Sequence, residues 1–289
     1  MPVFKTLRRL YMGLSTVLGG KRQGFFIPYR YAGQLVNNLR MSPYQHINNL
    51  FSQLHPLFLE YIAYLSKYTD ELRQIGPDQP PQPRWNQSWF PPLDAAIAYS
   101  FVRHYAPNTI IEVGSGHSTR FMARAATDGL LETIIIAIDP APRANLEGLN
   151  IAFELATVQE IDINYFELLM PGDILFIDSS HILMPGTDVD FLINRILPQL
   201  PKGVFVHLHD IFLPDDYPKS WHWRGYNEQL GVASLLQANA FNVLFSSYYV
   251  ATRMTDVLKD TFLAEINKPG SNFESVSNTH LTLPTSDLV

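Results

Sequence analysis

Thr109-Ile-Ile-Glu-Val-Gly-Ser-Gly-His-Ser-Thr119 is the stretch that decides the fold. Thr109 to Val113 is β-branched and apolar except for Glu112, the composition of a strand buried on both faces. Gly114 and Gly116 lack a Cβ, so the chain can turn sharply there and approach a ligand closely. Ser118 and Thr119 can cap a helix beginning at that point, which leaves backbone N–H groups pointing into the turn. A strand, a glycine turn and a helix in that order suit a nucleotide-like ligand at the carboxyl end of a parallel sheet. Glu112 divides the ligand classes, because a carboxylate beside the turn repels a pyrophosphate and attracts a cation. A dinucleotide fingerprint needs a third glycine where this chain has Thr119, so that fingerprint fails. An ordinary strand–turn–helix link with no ligand is the plain alternative.

Outward from this stretch, strands and helices alternate. Strands are expected near 109–114, 133–139, 151–158, 173–178, 203–209 and 241–249, and helices near 118–128, 143–148, 162–169, 187–199 and 225–239. That alternation predicts right-handed crossovers and an α/β fold: a Rossmann-like, doubly wound, mostly parallel sheet with an N-terminal helical extension. Ahead of it, Ile47, Leu50, Phe51, Leu54, Leu57, Phe58, Tyr61, Ile62 and Leu65 recur at helical spacing. They predict one amphipathic helix, or two broken near Pro56. Residues 76–83 are proline-rich and read as a linker. A helix is expected from Leu93 to Tyr105, with Asp94 in its first turn. The organisation expected is a basic arm and helical segment over 1–84, the ligand-binding domain over 85–255 and a C-terminal tail over 256–289. The last dozen residues show neither helical nor strand period and are assigned no function.

Composition narrows the classes. The chain has 289 residues, 46% of them hydrophobic, and no cysteine, so it has no disulfide, thiolate zinc site or cysteine nucleophile. That is compatible with a cytoplasmic location. No apolar run is long enough to span a bilayer. Residues 1–40 hold Lys5, Arg8, Arg9, Lys21, Arg22, Arg30 and Arg40 and no acid, leaving a net −13 on the remainder against −6 overall. The preferred reading is an arm that packs on the acidic body of its own chain or of a second copy in a homo-oligomer; peripheral contact with lipid head groups is the alternative. Basic residues are scarce near the loops after the strands, which speaks against nucleic acid as a partner.

The residues ending each strand carry the candidate chemistry. Asp139, about twenty residues beyond the glycine turn, can accept ribose hydroxyls, or serve only as an Asp-Pro turn initiator. Gln159 can meet an adenine edge or be an exposed loop glutamine. Asp173-Ile-Leu-Phe-Ile-Asp-Ser-Ser-His181 delivers Asp178, Ser179, Ser180 and His181 at a strand exit, where they can bind an ammonium, hold a metal or move a proton. Gly203-Val-Phe-Val-His-Leu-His-Asp210 delivers His209 and Asp210, a histidine beside a carboxylate and so a natural general base for a hydroxyl. The same groups could coordinate a cation. His207 reads as a core histidine. The loop over 211–226, rich in aromatics and proline, reads as a lid or acceptor-binding loop.

Taken together, Glu112-Val-Gly-Ser-Gly-His-Ser-Thr119, Asp173 to His181 and Val206-His-Leu-His-Asp-Ile-Phe-Leu-Pro214 resemble the class I S-adenosylmethionine-dependent methyltransferases, and among them the small-molecule methyltransferase domain 24 family. The resemblance covers roughly residues 85–250. It implies S-adenosyl-L-methionine as cofactor, with Glu112, Gly114, Ser115, Gly116, Ser118 and Thr119 around its methionine end. It implies Asp139 at the ribose, Gln159 at the adenine, and Asp178, Ser179 and His181 closing the pocket. It also implies transfer to a small-molecule acceptor, with O-methylation preferred over N-methylation and His209, oriented by Asp210, removing the acceptor's proton. In catechol-type relatives, carboxylates at the places of Asp178 and Asp210 hold magnesium; here the asparagine expected beside the second is absent. A non-catalytic binding module of the same fold, and an NAD or nucleotide-sugar enzyme, are the competing classes.

Overall fold

The structure, a computed structural model, describes residues 2–34, 43–266 and the backbone of 281–284. The chain divides into two units, residues 1–41 and 42–289. In the first, helix α1 spans Pro2–Val17 and a 3-10 turn spans Ala32–Gln34.

The second unit opens with helices α2 (Gln45–Gln53) and α3 (His55–Lys67), then the short α4 (Thr69–Arg73). The break expected near Pro56 falls at Leu54, two residues earlier, since proline fits the first turn of a helix, where its missing N–H has no partner to lose. Ile47, Phe51, Phe58, Tyr61, Ile62 and Leu65 are all buried. Helix α5 (Pro92–Tyr105) is buried along its first eleven residues, Asp94 included, and ends on Ala106 in the left-handed region.

From there the chain builds a seven-stranded sheet. Strands β1 (Thr109–Val113), β2 (Ile134–Ile138), β3 (Ala152–Glu154), β4 (Ile174–Ile177), β5 (Phe205–Leu208), β6 (Phe245–Ser246) and β7 (Leu281–Pro284) lie in the order β3-β2-β1-β4-β5-β7-β6. The pairs among β1 to β5 are parallel, and β7 runs antiparallel between β5 and β6. β7 comes from the segment read as a tail in the sequence. Helices α6 (His117–Asp128), α7 (Asp188–Phe191, continued by a π turn and a 3-10 turn to Gln199), α8 (Glu228–Gln237) and α9 (Ser247–Arg253) complete the crossovers. Buried Asp173 ties the start of β4 to β1: its two carboxylate oxygens accept from the Thr109 and Met170 N–H groups, each at 2.8 Å.

Three expectations need correction. The helix near 143–148 is absent. The Asn145 side chain accepts from the Glu147 N–H at 2.8 Å and Gly148 sits at φ 88°, so the segment folds as successive turns. The third strand stops at Glu154 because Thr157 and Glu160 close a capping interaction that starts a 3-10 turn. The strand expected over 241–249 forms only as β6 and stops at Ser246, whose hydroxyl accepts from the Tyr249 N–H and caps α9.

Gly114 has φ 83°, and a Cβ there would lie 1.8 Å from the Asp178 carbonyl oxygen. Replacing Gly114 by Ala should therefore destabilise the second unit by about 3 kcal/mol or more in urea titration, from backbone strain plus the clash.

Candidate functional site

Backbone hydrogen bonds carry the sheet's register past the strand ends and fix the residues that follow. The Gly114 N–H donates to the Ile138 carbonyl (2.9 Å), Asp139 to Glu154 (3.0 Å), Asp178 to Val113 (2.8 Å) and His209 to Ile177 (2.9 Å). Glu112, Asp139, Asp178 and His209 therefore stand along one edge, the carboxyl end of the parallel strands.

Around the glycine turn, Asp139 holds the loop. One of its oxygens accepts from the Ser115 N–H (2.6 Å) and hydroxyl (3.2 Å), the other from the Ala141 N–H (2.7 Å). Helix α6 begins at His117, one residue before its expected start. Thr119 bonds back to the Gly116 N–H at 2.9 Å, while Ser118 donates to the Glu112 carboxyl instead of capping. Burial drives the Glu112 carboxyl up to about 8, against the Ser118 and Thr119 hydroxyls; the Asp178 and Asp139 charges push the same way. Glu112 Oε2, Ser179 Oγ and His117 Nδ1 are shielded from solvent with no hydrogen-bond partner among the described residues. Arg120, in the first turn of α6, sends its guanidinium to the Asn145 carbonyl (3.0 and 2.7 Å) and braces the loop after β2. Gln159 lies apart in its 3-10 turn, exposed, donating to the Gly186 carbonyl at 3.2 Å.

At the exits of β4 and β5 a second cluster forms. His181 Nε2 lies 3.3 Å from Asp178 and 3.4 Å from Asp210, and its Nδ1 lies 2.8 Å from Glu228. His209 Nδ1 lies 3.2 Å from Asp178 and 3.4 Å from Asp210. Burial disfavours charge on both rings, but Asp178 and Asp210 overrule it and hold His209 at about 9; hydrogen bonds to Asp178 and Glu228 likewise hold His181 well above its ordinary value. Asp178, half-buried, is pulled below the carboxylate range by the two histidines against its partial desolvation, whereas burial leaves Asp210 and Glu228 raised. Asp94, fully buried in the first turn of α5, is driven to about 8 by burial, with His209 opposing. His181 (φ 61°) and Asp210 (φ 56°) both occupy the left-handed region, a strain that persists where the surroundings impose it.

Glu112, Asp139, Asp178, His181, His209 and Asp210 stand at the carboxyl ends of the parallel strands, while Gln159 lies apart. His209 is 2% exposed and already protonated near neutral pH, so it does not stand ready as a free base. Glu228 and Asp94 went unread as site residues. Glu228 reaches the cluster because the α8 N-terminus docks on the His181 carbonyl (Asn227 N–H 3.0 Å, Glu228 N–H 3.2 Å). A buried acid at the start of a helix feeding the sheet was the available signal for Asp94. His207 is a core residue, its ring 4.3 Å from that of Phe176.

The donor set Asp178, His181 and Asp210 offers three ligand atoms within 4.8 Å of one another, and Glu228 orients the far nitrogen of the histidine. Two carboxylates and an imidazole so arranged fit a divalent cation. Over this edge lies the 211–226 loop, in which Phe212, Tyr217, Trp221 and Tyr226 pack ring to ring at 5.2–5.9 Å. The Arg224 guanidinium sits 3.7 Å above Trp221 and donates to the Tyr226 hydroxyl at 3.3 Å; its charge is felt by Asp210, and it forms no ion pair among the described residues. The Tyr226 ring in turn lies 4.7 Å from His181.

Comparison with known proteins places a family on this region. Residues 111–211, from β1 to just past β5, match the family model described as a methyltransferase domain. An uncharacterized protein of Archaeoglobus fulgidus is 33% identical over 90 residues, 29% of this chain and 41% of that protein, so the chain spans less than half of that relative's length. Among solved structures, the S-adenosylhomocysteine-bound Podospora anserina methyltransferase PaMTH1 matches 91% of this chain and all of its own, with 12% identity and a TM-score of 0.43. An O-methyltransferase from Bacillus cereus in complex with S-adenosylhomocysteine matches 83% of this chain and 96% of its own, with 11% identity and a TM-score of 0.40. No helix among the described residues is long and apolar enough to cross a membrane.

The buried groups set the pH dependence of stability. His209, raised to about 9, adds stability below its ordinary value that is lost as pH rises through 9; Glu112 and Asp94, raised to about 8, likewise favour the fold in their protonated forms and lose that contribution as pH rises through 8. All three act together between their ordinary values and 8. The unfolding free energy should fall across pH 6.5–8 by roughly 1 kcal/mol per pH unit for each group, and Glu112→Gln should flatten that fall.

Proposed function

We propose that this chain, whose residues 111–211 match the family model described as a methyltransferase domain, transfers a methyl group from S-adenosyl-L-methionine to a hydroxyl of a small molecule. The observation that carries the reading is the acidity of the glycine turn. Glu112 feels both Asp139 and Asp178, and Gly114, Ser115 and Gly116 bring no positive charge. A diphosphate would meet three carboxyl groups there, whereas a sulfonium and an ammonium meet favourable charge. The unpartnered Glu112 oxygen and Ser179 hydroxyl are the groups a polar, cationic ligand would satisfy.

When bound, S-adenosylmethionine supplies a methyl group on a positively charged sulfur. Asp139, already fixed by Ser115 and Ala141, keeps lone pairs for the ribose hydroxyls, and Gln159 keeps its carbonyl oxygen for the adenine amino group. A divalent cation held by Asp178 and Asp210, with His181 giving up its proton to ligate, would lower the pKa of an acceptor hydroxyl. As the acceptor's O–C bond forms, the S–C pair stays on sulfur and the hydroxyl proton is lost to the His209–Asp210 pair. Because His209 is already protonated near neutral pH, Asp210 is the member that accepts it. His181 and His209 hold the carboxylates in place, which supplies the alignment that in-line transfer requires. The aromatic wall of the 211–226 loop and Arg224, which forms no ion pair among the described residues, favour an acceptor with a planar ring and an anionic substituent.

Calorimetry tests the cofactor. S-adenosylmethionine and S-adenosylhomocysteine should bind and NAD should not. Only ionised Glu112 attracts the sulfonium and its group titrates at about 8, so S-adenosylmethionine affinity should rise from pH 6.5 to 8.5; Glu112→Gln should abolish the rise and weaken binding about tenfold. NAD binding in preference would reverse the assignment. For the chemistry, Asp210→Asn should lower kcat for methyl transfer by about 100-fold or more while cofactor affinity changes little. Unchanged turnover would remove Asp210 from the mechanism.

A further inference from the structure

We propose that the N-terminal unit is a membrane-surface anchor, with α1 lying in the head-group region of a bilayer rich in anionic lipid. On α1, Leu7, Leu10, Tyr11, Leu14 and Val17, followed by Leu18, recur at three- and four-residue steps and form one continuous apolar stripe. Every one of these side chains is at least 50% exposed. Arg8 and Arg9 fall off the stripe on either side, with Ser15 and Thr16 beyond them. Large apolar side chains continue in the chain that follows, where Phe25, Phe26 and Ile27 are exposed, Arg22 lies 4.8 Å over Phe25, and Arg30 lies 5.6 Å over Tyr31.

The charge pattern selects the occupant. An acidic protein surface would satisfy the arginines but leave the leucine stripe in water. A second copy of α1 would cover the stripe but bring like charges together. An interface of acyl chains beneath anionic head groups satisfies both, since the apolar face enters the acyl boundary while arginines at its edges reach the phosphates. Residues 1–40 carry seven basic and no acidic residues, each basic residue near an anionic surface raising partitioning roughly fivefold. The remaining chain, at net −13, would by itself be repelled from such a surface, so attachment must come from this unit. This inference does not depend on the methyltransferase reading.

Flotation of the full chain with vesicles of phosphatidylcholine alone, or of phosphatidylcholine with phosphatidylglycerol, tests it. The protein should float with the anionic vesicles and bind about tenfold or more weakly to the neutral ones, with high salt releasing it. L10S/L14S and R8E/R9E should each cut binding about tenfold or more while S-adenosylhomocysteine affinity stays unchanged. No flotation with anionic vesicles, or flotation indifferent to both pairs, would overturn the proposal. So would light scattering that shows a dimer abolished by L10S/L14S, which would assign the stripe to a second copy.

Discussion

The crowding of carboxyl groups along one sheet edge is the constraint on which the rest of the site depends. Glu112, Asp139, Asp178, Asp210, Glu228 and Asp94 all stand at or beside the carboxyl ends of the parallel strands, and all but Asp178 are buried. Burying so many acids is affordable only because they are compensated in different ways. Asp139 is held by N–H groups of its own loop, and Asp178 stays ionised because two imidazolium rings face it. Glu112, Asp94, Asp210 and Glu228 retain their protons more readily than ordinary carboxyls. The charge of this edge therefore depends on which protons a ligand displaces, and a cation beside Glu112 and Asp139 would favour the ionised form of Glu112.

The backbone serves the same edge. The Gly114 turn passes so close to the Asp178 carbonyl that no side chain fits, which lets the exits of β1 and β4 converge. His181 and Asp210, the two residues that turn the chain after β4 and β5, both adopt left-handed conformations that favour glycine. Neither position is glycine, because each side chain is needed in the cluster. Stability is given up where the carboxyls meet and recovered in the apolar strands beneath, where Ile110, Ile111 and Ile174 to Ile177 are almost wholly buried.

Much of this was legible in the residues themselves. Apolar runs ending in acids located β1, β2, β4 and β5 within a residue or two, because a strand buried on both faces has few other ways to be written. The same runs delivered Glu112, Asp139, Asp178, His181, His209 and Asp210 to one edge. Short elements were less legible. An Asx turn at Asn145 replaced the helix expected near 143–148, and side-chain caps at Thr157 and Ser246 cut two strands short, since one capping hydrogen bond outweighs a weak strand preference over two or three residues. The ionisation of His209 could not be read at all. It depends on Asp178, thirty-one positions away in the chain, and on a burial that only the packed sheet creates. Glu228 escaped for the same reason, forty-seven positions from the histidine it holds.

A crystal structure of the protein grown with S-adenosylhomocysteine, and a second grown with NAD, would measure the ligand preference of this edge most directly. The first should show the thioether sulfur and amino group beside Gly114 and Glu112 and the ribose hydroxyls on Asp139, while the second should show no dinucleotide there. Density for the NAD diphosphate against the glycine turn, with none for S-adenosylhomocysteine, would contradict the charge preference on which the proposed methyl transfer rests.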